Sequence, residues 1–308
     1  MYRNLYTNFT LFTSPLRAVQ ESSFAPAPRP RYEADGIVLR TLTTNDEYDE
    51  AVALQDEIWG AGFTDRVPAS ILRVAQKVGG ITAAAFDAQD RMLGFVFGLT
   101  GLRDGRPVHW SDMLAVREDA RGKQLGEKLK NYQRDLVRAA GVETMYWTFD
   151  PLVARNAHFN LNRLGARIAE YIPNFYGSNT GSILHGALPT DRFVAAWHFA
   201  SANRQPRDPA APQREQPAAE AARTAVVENG RVRVVEPLPD ATRVLVPVPR
   251  DIEALLGASH DAALAWRLTT REAIMHYLAL GYQVTAFDRG SETELPAYEL
   301  THSPSRPA

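Results

Sequence analysis

Val116-Arg117-Glu118-Asp119-Ala120-Arg121-Gly122-Lys123-Gln124-Leu125-Gly126 carries an apolar strand through a basic, glycine-containing turn into a helix. The first N–H groups of a helix have no partner within it, and the helix dipole adds positive potential there. Such a turn is therefore built to hold a phosphate. It points to a nucleotide-linked ligand.

Around that turn the composition is ordinary. With 308 residues, 45% hydrophobic and 23% charged, the chain can bury one large core or two smaller ones. Its formal net charge of −2, from 34 Lys+Arg against 36 Asp+Glu, gives no global attraction to nucleic acid or to an anionic membrane. Neither partner is expected, and any anion must be held locally. The absence of cysteine removes disulfides, thiolate metal sites and a cysteine nucleophile, and it fits a reducing cytoplasm. His109 and His158 have no metal-ligand partner at useful spacing, so they read as packing residues and no metal is expected. No uninterrupted apolar run reaches the ~18 residues of a membrane span, and the first residues lack the apolar core of a signal peptide.

Two changes of composition divide the chain. Ala25-Pro26-Ala27-Pro28-Arg29-Pro30 is stiff and proline-rich, and residues 202–223 alternate Pro, Ala, Arg, Gln and Glu with almost no branched or aromatic residues. Residues 1–35 are thus expected as a flexible arm, 36–200 as the main folded body, 201–223 as a linker and 224–308 as a C-terminal extension packed on the body.

In the body, a strand at 37–42 is followed by the polar helix start Thr44-Asn45-Asp46-Glu47 and apolar positions at Val52, Leu54, Ile58 and Trp59. The β-rich runs 80–86 and 93–100 flank a polar connection and should pair antiparallel. A strand at 109–116 leads into the glycine turn, and the helix beyond it shows Leu125, Leu129, Leu136 and Val137 at helical spacing. A strand at 144–149, a helix at 156–164 ending at Gly165, and a strand at 167–171 follow. The order is mixed α/β. In the extension, strands are expected at 232–235 and 243–248, a helix at 261–280 ended by Gly281, and a last strand at 282–287.

Leu114-Ala115-Val116, the turn Arg121-Gly122-Lys123-Gln124-Leu125-Gly126, Asn156-Ala157 and Leu164-Gly165-Ala166 together resemble the motifs of the GNAT N-acyltransferases over residues 36–177. The resemblance implies a central mixed β-sheet flanked by helices, with acyl-coenzyme A, such as acetyl-coenzyme A, as co-substrate. It further implies that the amides of the Arg-x-x-Gly-x-Gly/Ala turn hold the pyrophosphate. Here Gln124 stands where the first motif glycine normally does. The strings Trp147-Thr148-Phe149-Asp150-Pro151-Leu152, Arg155-Asn156-Ala157, Tyr176-Gly177 and Asp191-Arg192-Phe193 to Trp197, with the late Trp266-Arg267, Arg271 and Gly281-Tyr282, look like a subgroup some of whose members are regarded as amino-acid N-acyltransferases. That likeness implies an acetyl, succinyl or similar group passed to a primary amine of a small molecule.

Acyl transfer from a thioester needs a neutral amine, a polarised carbonyl and the two held in line. In a fold of this family the backbone of Leu114, Ala115 and Val116 would face the pantetheine arm. Asp112 matches a frequent position of the family's general base, and by strand alternation it shares a face with Leu114. A strand-end carboxylate satisfied by neighbouring amides explains it equally well. The tyrosine many relatives use as general acid is Leu161 here, which leaves Asn156, Asn160, Tyr171 or water to protonate the thiolate. With no cysteine and no Gly-x-Ser-x-Gly, direct attack is favoured over a covalent acyl-enzyme.

Asp150 ends a strand, where it either caps a turn or meets a ligand. Arg267 and Arg271 lie four apart on one helix face, and with Arg192 they could grip a carboxylate of donor or acceptor. The alternative is that they pair with acids such as Asp261 or Glu272. Two other function classes compete. One is a coenzyme A-binding module that has lost its chemistry, motivated by Gln124 and Leu161. The other is an assembly protein with a vestigial cleft. A homodimer is the base-rate expectation for a symmetric soluble enzyme.

Overall fold

The computed structural model describes residues 31–177, 181–182, 188–199, 221–228 and 231–302. Most of the arm (residues 1–30) and of the linker (201–220) therefore lies outside the described residues.

The body is built on eight strands: β1 (Tyr32–Ala34), β2 (Ile37–Thr41), β3 (Ile81–Phe86), β4 (Met92–Arg103), β5 (Arg106–Val116), β6 (Thr144–Phe149), β7 (Arg167–Ile172) and β8 (Arg192–His198). Their order across the sheet is β1-β2-β3-β4-β5-β6-β8-β7, and every neighbouring pair is antiparallel except β5 with β6. The mixed α/β sheet and the antiparallel pair at 80–86 and 93–100 are as the sequence implies. Tyr32–Ala34, which composition assigned to the arm, pairs with Ile37–Leu39, because an edge backbone recruits a partner without needing an apolar pattern.

Helices cover both faces. On one lie α1 (Asn45–Trp59) and α2 (Ala69–Lys77), whose Tyr48, Leu54 and Leu72 pack with Phe86, Phe95, Phe97, Met113 and Ala115. The start of α1 is a capping box: the Thr44 hydroxyl accepts from the Glu47 N–H at 3.3 Å, and the Glu47 carboxylate accepts from the Thr44 N–H at 3.2 Å. On the other face lie α3 (Leu125–Ala139) and α4 (Ala154–Ala157), which widens into π-helical turns over His158–Arg163 before Gly165 (φ +68°) ends it. Leu125, Leu129, Tyr132 and Leu136 of α3 pack there with Trp147, Phe149 and Phe193.

The extension forms a second sheet of β9 (Ala222–Arg223), β12 (Arg243–Pro247), β13 (Gln283–Asp288) and β14 (Ala297–Thr301), ordered β13-β14-β12-β9. A separate hairpin joins β10 (Ala225–Glu228) to β11 (Arg231–Val234). Two helices complete it, α5 (Ile252–Ala258) and α6 (His260–Ala279), capped by Asp251 and Ser259. Residues Ala222 and Arg223, which composition gave to the linker, pair in parallel with Val244 and Leu245.

Body and extension share one apolar cluster, in which Trp266, Ile274 and Tyr298 meet Phe149 and Phe193. Two polar clasps cross the same junction. Arg267 of α6 grips Asp150 through both terminal nitrogens (2.9 and 2.5 Å), and Arg192 lies 3.5 Å from the same carboxylate. One turn along, Arg271 grips the buried Asp191 through Nε (2.8 Å) and Nη2 (2.6 Å). Asp191 also accepts from the Tyr171 hydroxyl (2.5 Å) and the Asn174 amide (3.0 Å). Burial opposes its ionisation, but the Arg271, Tyr171 and Asn174 bonds outweigh that and hold its pKa below the usual carboxylate range.

Removing one partner from a buried clasp strands the other. Arg267→Met should therefore lower the unfolding free energy by about 3 kcal/mol, read from urea denaturation. Asp191 has a lowered pKa in the folded state, so the stability it supplies is complete above about pH 4 and is lost as the pH falls through its folded value. Asp191→Asn should flatten the acid limb of a stability–pH curve, in addition to lowering its plateau.

Candidate active site

The parallel strands β5 and β6 are paired at His109 with Met145 and at Trp110 with Tyr146, and then they part. Beyond Trp110 no strand pairs with the β6-facing edge of β5 among the described residues. Its other edge stays bonded to β4 as far as Val116. The result is a wedge floored by the backbone of residues 111–116. Leu114 and Val116 pack toward α3, while Met113 and Ala115 pack toward α1 and α2.

At the wide end of the wedge the chain makes a 3₁₀ turn over Glu118–Ala120 and enters α3. Gly122 has φ +85°, and a Cβ there would meet nothing within 4 Å. Gln124, the N-cap residue, sits in the left-handed region at φ 57°, ψ 23°, and its side chain makes no capping bond. The backbone there needs a positive φ, which costs an L-residue roughly 1–2 kcal/mol. A Cβ at Gly126 would touch Leu114 Cδ2 at 3.7 Å, an ordinary contact, so protein packing alone does not demand a glycine.

Leu125 is buried, but the N–H groups of the first helical turn have no side-chain cap among the described residues. Arg121 and Lys123 are exposed beside them, and a groove of about 450 Å³ lined in part by Leu93, Lys123 and Lys128 adjoins the turn. Open space, free amides, positive charge and a glycine at the first turn are what a pyrophosphate-bearing chain requires. Asn156 is half-buried in the first turn of α4, on the helix that follows β6. Asn160 is committed to the core, accepting from the Trp147 indole N–H at 3.0 Å.

Asp112 differs from the sequence expectation in one respect. The register of β4 with β5 slips between Phe97 and Gly98, so that Phe97 faces Met113, Gly98 faces Ser111, and Asp112 is the extra residue of a β-bulge. The bulge breaks the alternation, and Asp112 does not share a face with Leu114. It lies on the opposite side, open to solvent yet flanked by protein. Burial pushes its pKa up, a hydrogen bond from the Trp110 side chain pulls it down, and the charge of Asp65 raises it further, with a net upward shift.

The same side of the sheet gathers Tyr176 with two aromatic residues, Trp110 and Phe175, that the sequence patterns did not single out. Trp110 stacks on Phe175 with ring centroids 6.4 Å apart, and Phe175 meets Tyr176 edge-on at 4.7 Å. The Tyr176 hydroxyl bonds the Thr148 hydroxyl at 2.9 Å. Its pKa is raised, first by burial, against the lowering effects of the Thr148 bond and of Arg192, with Asp112 and Asp65 adding to the rise. The loop after α1, which carries Asp65, abuts this segment: a Cβ built at Gly181 would lie 1.9 Å from the Gly62 carbonyl oxygen.

Tyr171, on β7, is three strands away from β5, and its hydroxyl is bonded to Asp191, with burial and that carboxylate holding it protonated. Asp150, Arg192, Arg267 and Arg271 are brought together. Their charges face one another: Arg267 and Arg192 meet Asp150, and Arg271 meets Asp191, in place of Asp261 or Glu272. Arg192 also lies over the Tyr176 ring, 5.1 Å from its centroid.

No family model matches this chain, and no curated protein matches it. Solved structures do. An aminoglycoside 6'-acetyltransferase of type Ii is similar at 21% identity, over 52% of this chain and 96% of its own, with a TM-score of 0.42. Naa50 of Arabidopsis thaliana, in complex with a bisubstrate analogue containing coenzyme A, is similar at 16% identity, over 52% of this chain and 97% of its own, with a TM-score of 0.42. The ribosomal-protein-S5-alanine acetyltransferase of Vibrio fischeri is similar at 12% identity, over 56% of this chain and 98% of its own, with a TM-score of 0.44.

The left-handed residue gives a direct test of the turn. Gln124→Gly removes a strain of roughly 1–2 kcal/mol and adds roughly 0.5–1 kcal/mol of unfolded-chain entropy, so stability should hold or rise by up to about 1.5 kcal/mol. Gln124→Val, β-branched, should lower it by more than 1 kcal/mol. Urea denaturation of the two variants beside the parent protein reads both.

Proposed function

We propose that this chain is an acyl-coenzyme A-dependent N-acyltransferase of the GNAT type, passing an acyl group directly to a primary amine of a small molecule. The observation that carries this reading is the wedge between β5 and β6, which opens toward the uncapped first turn of α3. The amides of Gly122, Lys123, Gln124, Leu125 and Gly126, with Arg121, would hold the pyrophosphate. The backbone of Leu114, Ala115 and Val116 would line the pantetheine arm and polarise the thioester oxygen.

In this reading the acceptor enters from the α1/α2 side. Asp112 takes a proton from the ammonium, directly or through a water, and the freed amine nitrogen attacks the thioester carbon. The C–N bond forms, the nitrogen gives up its second proton to water, the C–S bond breaks, and the thiolate leaves. An upward-shifted Asp112 suits the task, since a base works best with a pKa nearer the operating pH. Tyr176, across the cleft from Asp112, is better sited than Tyr171 to return a proton to the thiolate.

Aromatic faces at Trp110 and Phe175 with carboxylates at Asp65 and Asp112 favour a cationic amine as acceptor. The arginines that would have gripped a carboxylate are already held by Asp150 and Asp191, so a carboxylate is not the feature selected. Asn156 remains a candidate for contact with the pantetheine amide.

Thermal denaturation with coenzyme A, acetyl-coenzyme A and succinyl-coenzyme A tests the reading. A thioester at 100 times its Kd should add about 2.7 kcal/mol of stability, and Asp112→Asn should keep that gain while lowering kcat/KM for thiol release by about 100-fold. If no thioester raises the melting temperature, the reading falls. Stabilisation without thiol release over a panel of amines would leave a coenzyme A-binding module instead.

A further inference from the structure

The core-facing side of β5 carries a run of polar side chains where apolar ones would be expected. Lys130 Nζ donates to Ser111 Oγ (2.7 Å), and Ser111 Oγ donates to Gln133 Oε1 (2.7 Å). Because Gln133 Oε1 is the acceptor, its amide nitrogen is the donor to His109 Nε2 (3.0 Å). His109 then carries its proton on Nδ1 and donates to Thr100 Oγ1 (2.9 Å), whose hydroxyl donates to the Gly79 carbonyl (2.8 Å). The chain of bonds runs in one direction with a neutral imidazole. His109 and Gln133 are 0% exposed, and Ser111 and Lys130 are 3% exposed.

Lys130 has no carboxylate partner among the described residues. Its ammonium position lies 4.1 Å from the centroid of the Trp147 ring, and burial holds its pKa well below the usual lysine value. Gly98 makes room for the network: a Cβ there would lie 2.3 Å from His109 Nε2 and 2.8 Å from Gln133 Nε2.

The network lies where β5 leaves β6, and it bears on the bulge. Ser111 is tied to α3 through Lys130 and Gln133, and Leu114 packs on the same side. Residues three apart in a regular strand face opposite ways. Both anchors can face α3 only if one residue between them is taken out of the alternation, and that residue is Asp112. We propose that Ser111, held by Lys130 and Gln133, is a positioning residue that fixes the bulge and thereby aims Asp112 into the acceptor cleft. This inference rests on Asp112 acting as the base in the proposed reaction. Without the Ser111 anchor, the strand is free to resume its alternation, and the carboxylate swings away from the cleft.

The test uses the full-length protein and an amine that it turns over, comparing Ser111→Ala, Lys130→Met and Asp112→Asn by the pH dependence of kcat/KM. Asp112→Asn should abolish the acid limb. Ser111→Ala should lower kcat about tenfold, leave the KM for acetyl-coenzyme A unchanged, and move the acid limb to lower pH, because a carboxylate released from the bulge is better solvated. Lys130→Met, which fills the same space, should show the same changes more weakly, and it decides the matter if Ser111→Ala does not fold. Wild-type kcat and acid limb in the folded variants, with the limb lost in Asp112→Asn, would overturn the positioning role and leave the function intact. An acid limb that persists in Asp112→Asn, or a parent protein that turns over no amine, would remove both.

Discussion

The constraint on which this architecture turns is the early parting of two parallel strands. Parallel strands ordinarily stay in register for their whole length, because each unpaired backbone group buried between them is costly. Here β5 and β6 keep two residue pairs and then separate while each remains bonded on its outer edge, β5 to β4 and β6 to β8. The edge exposed in the gap is polar backbone in a shaped cleft, a surface that favours an extended ligand able to take those bonds. The gap lies between the bulge at Asp112 and the uncapped start of α3, so one departure from regular pairing leaves an exposed strand edge, free helix amides and a carboxylate along one stretch of chain.

Holding such a gap open requires support from outside it. The support comes from two kinds of contact. On the α3 side, a string of polar groups occupies ground that packing would fill with methyls. At the far ends of β6 and β8, the extension fastens Asp150 and Asp191 with paired arginines, backed by Trp266, Ile274 and Tyr298. A paired buried charge adds less net stability than its Coulomb energy suggests, but it fixes geometry, since a bidentate fork accepts little rotation. The extension is in this sense a brace for the strand ends that bound the cleft.

Local signals are legible in the sequence. The Thr44/Glu47 capping box, the β6 strand at 144–149 and the Gly165 helix end are set by neighbours within a few residues, and each is found as expected. β8 was not legible, because Arg-Phe-Val-Ala-Ala-Trp-His is buried on both faces and lacks alternation. β14 follows Pro296 closely, and α2 begins after Pro68 without a side-chain cap, so neither carries a strong boundary signal. The Asp112 bulge was hidden because alternation is the default rule for a strand and the anchors that break it come from α3. The same holds for the arginines: Arg267 and Asp150 are 117 residues apart, and Arg271 and Asp191 are 80 apart. The helix spacing brought the two arginines to one face, but local pattern could not name their partners. Tyr176, in the quoted string Tyr176-Gly177, lacked a second residue to mark it.

The left-handed conformation of Gln124 bears on how this turn is to be recognised at all. What the turn requires is a pair of torsions, with φ +85° at Gly122 and φ 57° at Gln124, and not a pair of residue names. Glycine is the commonest way to satisfy such torsions, and a tightly built surrounding structure is another. A pattern written in letters rejects a chain that meets the condition by the second route. A pattern written in backbone angles accepts it, and would bring together anion-holding turns whose sequences have little in common.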